Sequence, residues 1–144
     1  MSTRALICDT GALLDYLVRE APDHELFREA IDRARTRYVP ALVLAEVDYF
    51  LRDERDAMAG LMSELSRGAF TFAPASLPLL ARAVEIDRAY SKLRLGLVDA
   101  SIVALAERIG VTRIATRDIK HFSAVRLREG RSFELAVVPT DPDR

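Results

Sequence analysis

The chain has 144 residues, 50% of them hydrophobic, with a formal net charge of -1 and a pI near 6.1. That length and apolar content suffice for one core, so a single domain over residues 1–144 is expected, with no linker. Near-neutrality argues against a protein that grips nucleic acid by neutralising phosphates across its whole surface, though a local basic patch remains open. Cys8 is the only cysteine, which excludes an intrachain disulfide and a cysteine-rich zinc site, and its apolar neighbours predict a buried thiol. The N-terminal "MSTRALICDTGALLDYL" has an apolar run too short, and interrupted too soon by an acid, for a signal peptide. No stretch reaches the ~20 apolar residues that span a bilayer. A soluble, cytoplasmic protein is expected.

Helix and strand patterns alternate along the chain. "ALIC" (residues 5–8) suits a short buried strand, and "DTGALLDYLVRE" after it puts Leu13, Leu14 and Leu17 on one helical face. "HELFREAIDRAR" repeats the helical spacing with Leu26, Phe27, Ala30 and Ile31, and "RYVP" (37–40) gives a second strand ended by Pro40. "ALVLAEVDYFLR" reads as a helix, as does "RDAMAGLMSELSR", which Gly68 stops. "AFTFAP" (69–74) alternates Phe70 and Phe72 as a strand does. "SLPLLARAVEIDRAYSKLR" is a long amphipathic helix with Pro78 near its start. "VDASIVALAERIG" is another helix, stopped by Gly110, followed by strands in "TRIATRD" (112–118) and "FELAVVP" (133–139). Strands separated by helices imply right-handed crossovers and a mainly parallel sheet covered on both faces. The predicted fold class is α/β, a three-layer α/β/α sandwich.

In such a sheet ligands bind beyond the carboxyl ends of the strands. Four acids fall there: Asp9 after "ALIC", Glu46 near the start of the helix after "RYVP", Asp99 opening its helix, and Asp118 after "RIAT". Each alone has a structural explanation, as a turn residue, a helix cap, a helix-start acid or a solvated position. Together they are harder to dismiss. Glu46 lies among Leu42, Val43, Ala45, Val47 and Phe50, and Asp99 sits between Leu97, Val98 and the apolar run from Ile102 to Ala106. An unpartnered carboxylate is strongly disfavoured in such surroundings. Two carboxylates ~4 Å apart repel by about 4 kcal/mol at an effective dielectric of about 20, so a converged cluster must take up protons or bind a cation. All-oxygen ligation suits Mg²⁺ or Mn²⁺, ions that activate water against phosphodiesters.

These residues resemble the PIN-domain ribonucleases, and more narrowly the VapC-type toxins of toxin–antitoxin modules. The resemblance runs through "ALICDTGALLDYL", "YVPALVLAEVDYFL" and "LGLVDASIVALAERIGVTRIATRDIKHFSAVR", and the last stretch is the most specific. It implies a PIN-like fold with Asp9, Glu46, Asp99 and Asp118 as catalytic, metal-binding acids. Thr10 and Thr116 fill the family's hydroxyl positions, from which they would orient carboxylates or water; Thr116 could equally serve as an ordinary strand residue. It further implies an endoribonuclease using Mg²⁺ or Mn²⁺ and a metal-activated water, leaving a 5′-phosphate and a 3′-hydroxyl on tRNA or ribosomal RNA. A homodimer and a cognate VapB-type antitoxin, its tail in the active-site groove, are the implied partners.

Other residues carry less. Asp15 and Asp48 lie six and two residues beyond proposed ligands, on another helical face, and are expected to be solvated. His121 in "DIKHF" could contact substrate but reads first as a structural or surface residue. Arg117 and Lys120 are candidate phosphate contacts, and Arg28, Arg33, Arg35 and Arg37 form a basic run; either group could be plain solvated surface. The alternative from another class is a catalytically inactive PIN-like module that binds RNA or protein, against which the intact set of acids argues. A phosphoacceptor response-regulator domain would want adjacent acids after the first strand and an acceptor after a middle one. "CDTG" offers one acid and "RYVPAL" none.

Overall fold

A computed structural model describes residues 4–141. Its elements, in chain order, are β1 (Ala5–Cys8), α1 (Thr10–Leu17), α2 (His24–Arg33), β2 (Thr36–Pro40), α3 (Ala41–Phe50), α4 (Arg55–Ser66) and β3 (Thr71–Ala73). There follow α5 (Leu77–Ala89), α6 (Gly96–Ile109), β4 (Arg113–Ala115), α7 (Ile119–Ala124) and β5 (Glu134–Leu135). The five strands form one sheet in the order β3-β2-β1-β4-β5, and every pairing is parallel.

β1 lies in the middle, with Ala5 opposite Thr36 on one side and Ile7 opposite Ile114 on the other. Successive strand residues point to opposite faces. Leu6, Ile7 and Cys8 are all fully buried, so helices cover both faces of the sheet, as the unbroken apolar run "ALIC" predicts. Burial also pushes the Cys8 thiol up to about 12, leaving it inert. On the flanks α1 packs against α2, and α5 against α6. In α6 the whole run Ala100–Ala106 is buried, which is why its sequence carries so little amphipathic contrast.

Three boundaries differ from the sequence reading, each for a local reason. The helix predicted across residues 76–94 ends at Ala89 and is followed by a separate 3₁₀ turn, Ser91–Leu93, with Arg94 in the left-handed region at φ 54°. β4 stops at Ala115, because Thr116, Arg117 and Asp118 turn out of the sheet to make side-chain bonds. The short helix α7, absent from the sequence reading, begins there under the cap that Asp118 Oδ1 gives the backbone N–H of His121. β5 covers only Glu134–Leu135 of the predicted 133–139, since the chain beyond leaves the sheet edge and Pro139 has no N–H to donate.

Gly110 ends α6 at φ 70°, and nothing lies within 4 Å of where its Cβ would stand. Gly110→Ala therefore adds backbone strain without a clash. The expected loss is about 1 kcal/mol, read as a fall in Tm of roughly 2–4 °C by thermal denaturation.

Candidate active site

The strand order reverses between β1 and β4: from β1 the chain winds outward to β3, then crosses through α5 and α6 to β4 on the other side. At such a switch point the loops leaving the carboxyl ends of neighbouring strands diverge and open a crevice. Asp9 follows β1 and Asp118 follows β4, so both stand at this mouth. Asp99 comes to it from the first turn of α6, and Glu46 from α3, whose Val43 and Val47 are buried. The four acids line one open groove of about 980 Å³, together with Phe50 and Lys120.

Hydrogen bonds link them in one continuous chain. Thr10 Oγ1 donates to Glu46 Oε1 at 2.6 Å, while the Thr10 backbone N–H donates to Asp9 Oδ1 at 2.7 Å. On the other side Thr116 Oγ1 donates to Asp9 Oδ2 at 2.6 Å and accepts from the Asp118 N–H at 2.9 Å. The accepted bond fixes the direction of the donated one, so Asp9 is held at both oxygens. The chain closes through His121, whose Nδ1 lies 2.8 Å from Asp118 Oδ2 and 2.7 Å from Asp99 Oδ2.

The match of the PIN-domain family model covers residues 6–127. The chain belongs to the PIN-domain family. It is 37% identical over 133 residues to ribonuclease VapC26 of Mycobacterium tuberculosis, a match covering 90% of this chain and 98% of that protein, which places it in the VapC branch. Solved structures share its fold at lower identity. M. tuberculosis VapC20, described as a sarcin–ricin loop cleaving toxin, aligns with a TM-score of 0.68 and 18% identity over 76% of this chain and 86% of that one. VapBC2 of Rickettsia felis, bound to a promoter DNA fragment, gives 0.66 and 17% over 91% and 98%. A toxin–antitoxin complex from Klebsiella pneumoniae gives 0.66 and 21% over 83% and 92%.

Within this PIN domain the acids are crowded enough to hold protons that isolated carboxyls would shed. Burial, then the charges of Glu46 and Asp118, push Asp9 up to about 6 despite its bonds from Thr116 and Thr10. Burial and the charge of Asp9 push Asp99 up to about 7, against the bond to His121. Burial opposes charge on the His121 ring, yet the Asp99 hydrogen bond and the charges of Asp118 and Asp99 outweigh it and raise the imidazole above its ordinary value. Asp99, Asp118 and His121 each offer a ligand atom within 4.8 Å of the others. The donor set around the groove, oxygen-rich with one imidazole, suits a hard divalent cation.

The structure departs from the sequence reading at three residues. His121 is a member of the cluster rather than a bystander; the readable signal was its i+3 spacing from Asp118, which puts both on one face of a helical turn. Asp15 is not solvated but 5% exposed, and Arg117 is not a surface cation: its guanidinium turns inward onto Asp15 and Asp23. Its positive charge is thereby paired with two buried acids at the groove's border. Asp48 is half-exposed as expected and pairs with Arg55. In the basic run Arg28 and Arg37 pair with Asp32, and Arg33 with Glu29, so most of its charge is locally compensated. Lys120 stays exposed at the groove.

The raised values set the sign of a pH effect. An unfolded Asp loses its proton near 3.8, whereas folded Asp9 and Asp99 keep theirs to about 6 and about 7. Across that window the folded state binds more protons, so metal-free stability falls as pH rises through it, and His121, also raised, adds in the same direction. Asp99→Asn removes one such group. It is expected to match the wild-type Tm near pH 4 and exceed it by roughly 2–4 °C at pH 8, measured by thermal denaturation in chelator.

Proposed function

We propose that this PIN domain is a metal-dependent endoribonuclease toxin that hydrolyses phosphodiester bonds of structured RNA, tRNA or ribosomal RNA, and is restrained by a cognate VapB-type antitoxin. The observation that carries this reading is the hydrogen-bonded chain that gathers Glu46, Asp9, Asp118 and Asp99 at one mouth. It occurs in a chain 37% identical to a protein named as a ribonuclease. The reading includes a cytoplasmic homodimer, and its antitoxin partner is supported by two structural neighbours described as VapBC2 and as a toxin–antitoxin complex. Among the described residues no helix is long and apolar enough to cross a membrane.

Asp9, Glu46, Asp99 and Asp118 are the residues that would hold Mg²⁺ or Mn²⁺, the oxygen-ligated ions that fit this donor set. When bound, the ion supplies positive charge at the phosphate and lowers the pKa of a water. The chain's own residues do the positioning. Thr116 and the Thr10 N–H fix both oxygens of Asp9, and Thr10 Oγ1 holds Glu46 toward it. His121 Nδ1 holds Asp99 and Asp118 within hydrogen-bond reach of one atom, so two carboxylates that repel are gathered in advance. Lys120 at the groove, and Lys92 and Arg94 on the turn leading into α6, are exposed and make no ion pair among the described residues. They are free to meet RNA phosphates.

The deciding experiment incubates antitoxin-free protein with total tRNA and rRNA in Mg²⁺ or Mn²⁺, with chelator, and with Asp9→Asn alongside. Discrete products are expected with the ions, lost in chelator and reduced at least ~100-fold in the variant. A folded wild type that binds Mn²⁺ and leaves both RNA classes intact overturns the reading in favour of a binding module. Mn²⁺ should raise the wild-type Tm by mass action, and Asp99→Asn should shrink that rise; an equal rise in the variant removes Asp99 from the site. Lys120→Ala is expected to raise KM several-fold and lower the salt dependence of RNA binding by about one unit of log–log slope, with kcat little changed.

A further inference from the structure

Arg117 occupies the one position between Thr116 and Asp118, two members of the acid chain, and borders the groove, yet its guanidinium is tied to Asp15 and Asp23 and not to the four acids. Nη1 donates to Asp15 Oδ2 at 2.6 Å and to Asp23 Oδ2 at 2.8 Å; Nη2 donates to the carbonyl of Asp141 at 2.8 Å. The guanidinium carbon lies 6.0 Å from the centroid of the Phe27 ring. All three charged side chains are enclosed, at 10%, 7% and 1% exposure for Arg117, Asp15 and Asp23. One arginine cannot balance two acids alone. The surplus falls on Asp23, which also accepts from Thr140 Oγ1 at 2.8 Å and from the Thr140 N–H at 3.1 Å. Burial opposes that charge, but the bonds from Arg117 and Thr140 outweigh it and hold the Asp23 carboxyl below its ordinary value.

The stem of the same side chain runs beside the other half of the site. A Cβ on Gly11 would stand 3.0 Å from Arg117 Cγ and 3.2 Å from its Cβ and Cδ, so any larger residue next to Thr10 presses on the arginine stem. Arg117 is therefore clamped between the turn that carries Asp9 and Thr10 and the turn that carries Thr116 and Asp118. Its far end is tied directly to the α1–α2 connection at Asp23 and to the carbonyl of Asp141, and Asp23 in turn to Thr140.

We propose that Arg117 is a positioning residue for the acid cluster, and that residues 139–141 act through it as a strap setting the separation of the two acid-bearing turns. The inference rests on the metal-dependent reading above and extends it to a remote control point. Loosening the strap lets the β4–α7 turn drift from the β1–α1 turn, lengthening the Thr116–Asp9 bond without touching a ligand. Displacements of this size in ligand-supporting groups cost 10–100-fold in metal affinity or activity.

The test uses the full chain and three substitutions: Thr140→Val, which removes the hydroxyl bond to Asp23 and so loosens the strap while leaving Arg117 in place; Gly11→Ala, which pushes on its stem; and Arg117→Met. Arg82→Met, which removes the remote pair with Glu107, serves as a stability control. Mn²⁺ affinity is read by titration calorimetry, and kcat and KM separately on total tRNA. The strap variants are expected to bind Mn²⁺ at least fivefold more weakly and to lose at least tenfold in kcat with KM within twofold. Arg82→Met should keep both parameters within twofold at a comparable fall in Tm. Thr140→Val and Gly11→Ala proteins that fold and keep wild-type Mn²⁺ affinity and kcat overturn the inference, as does an equal loss in Arg82→Met. Arg117→Met leaves two buried acids unmatched, so if it does not fold the other two decide. A wild type that binds no Mn²⁺ overturns the underlying metal reading, which separates that failure from a failure of the strap.

Discussion

Mutual repulsion of carboxylates at the sheet's switch point is the constraint on which the rest of this molecule depends. Asp9 and Asp99 sit in surroundings that favour their neutral forms, with pKa values pushed up to about 6 and about 7. A fold that merely tolerated acids there would leave them to splay into solvent. This one does the opposite. Donors from three parts of the chain hold the carboxylates together: the first turn of α1, Thr116 just after β4, and His121 of α7 through both its backbone N–H and its ring. The arrangement is strained in charge and satisfied in hydrogen bonds, a combination that supports the proposed cation site.

A second acidic cluster a few residues away shows what an arrangement with an internal countercharge looks like. Asp15 and Asp23 are as buried as Asp9, yet Arg117 pairs with both and Thr140 donates two further bonds to Asp23. Asp23 is held low where Asp9 and Asp99 are raised. Burial is shared by both clusters and so cannot distinguish them. What distinguishes them is whether the protein itself provides the countercharge.

How far the sequence could be read depended on the range of the interactions involved. The parallel sheet follows from short apolar runs separated by helical periodicity, and "ALIC" is buried on both faces as its continuous apolar character requires. The acids were found because each interrupts an apolar pattern or follows a strand directly. Asp15 and Arg117 escaped because nothing within a few residues of either signals a partner; they meet across 102 positions of sequence. His121 was underweighted because α7 is too short to show a period, so its spacing from Asp118 looked incidental. β5 was overextended because an apolar run cannot by itself tell a paired strand from a covered edge segment.

The same contrast explains why "TRD" has the composition it has. In three consecutive positions the chain places a hydroxyl that orients one acid, a cation that pairs with two others, and an acid of the groove itself. Leaving the sheet after Ala115 is what lets successive side chains point to different partners, since a continued strand would send Thr116 and Asp118 to one face and Arg117 to the other at fixed spacing. The turn thus couples the groove to the interior. The guanidinium, paired with Asp15 and Asp23, ties the backbone between two groove residues to α1, α2 and the C-terminal segment. Rigidity at the acids is supplied from behind the site, where water does not compete for the bonds.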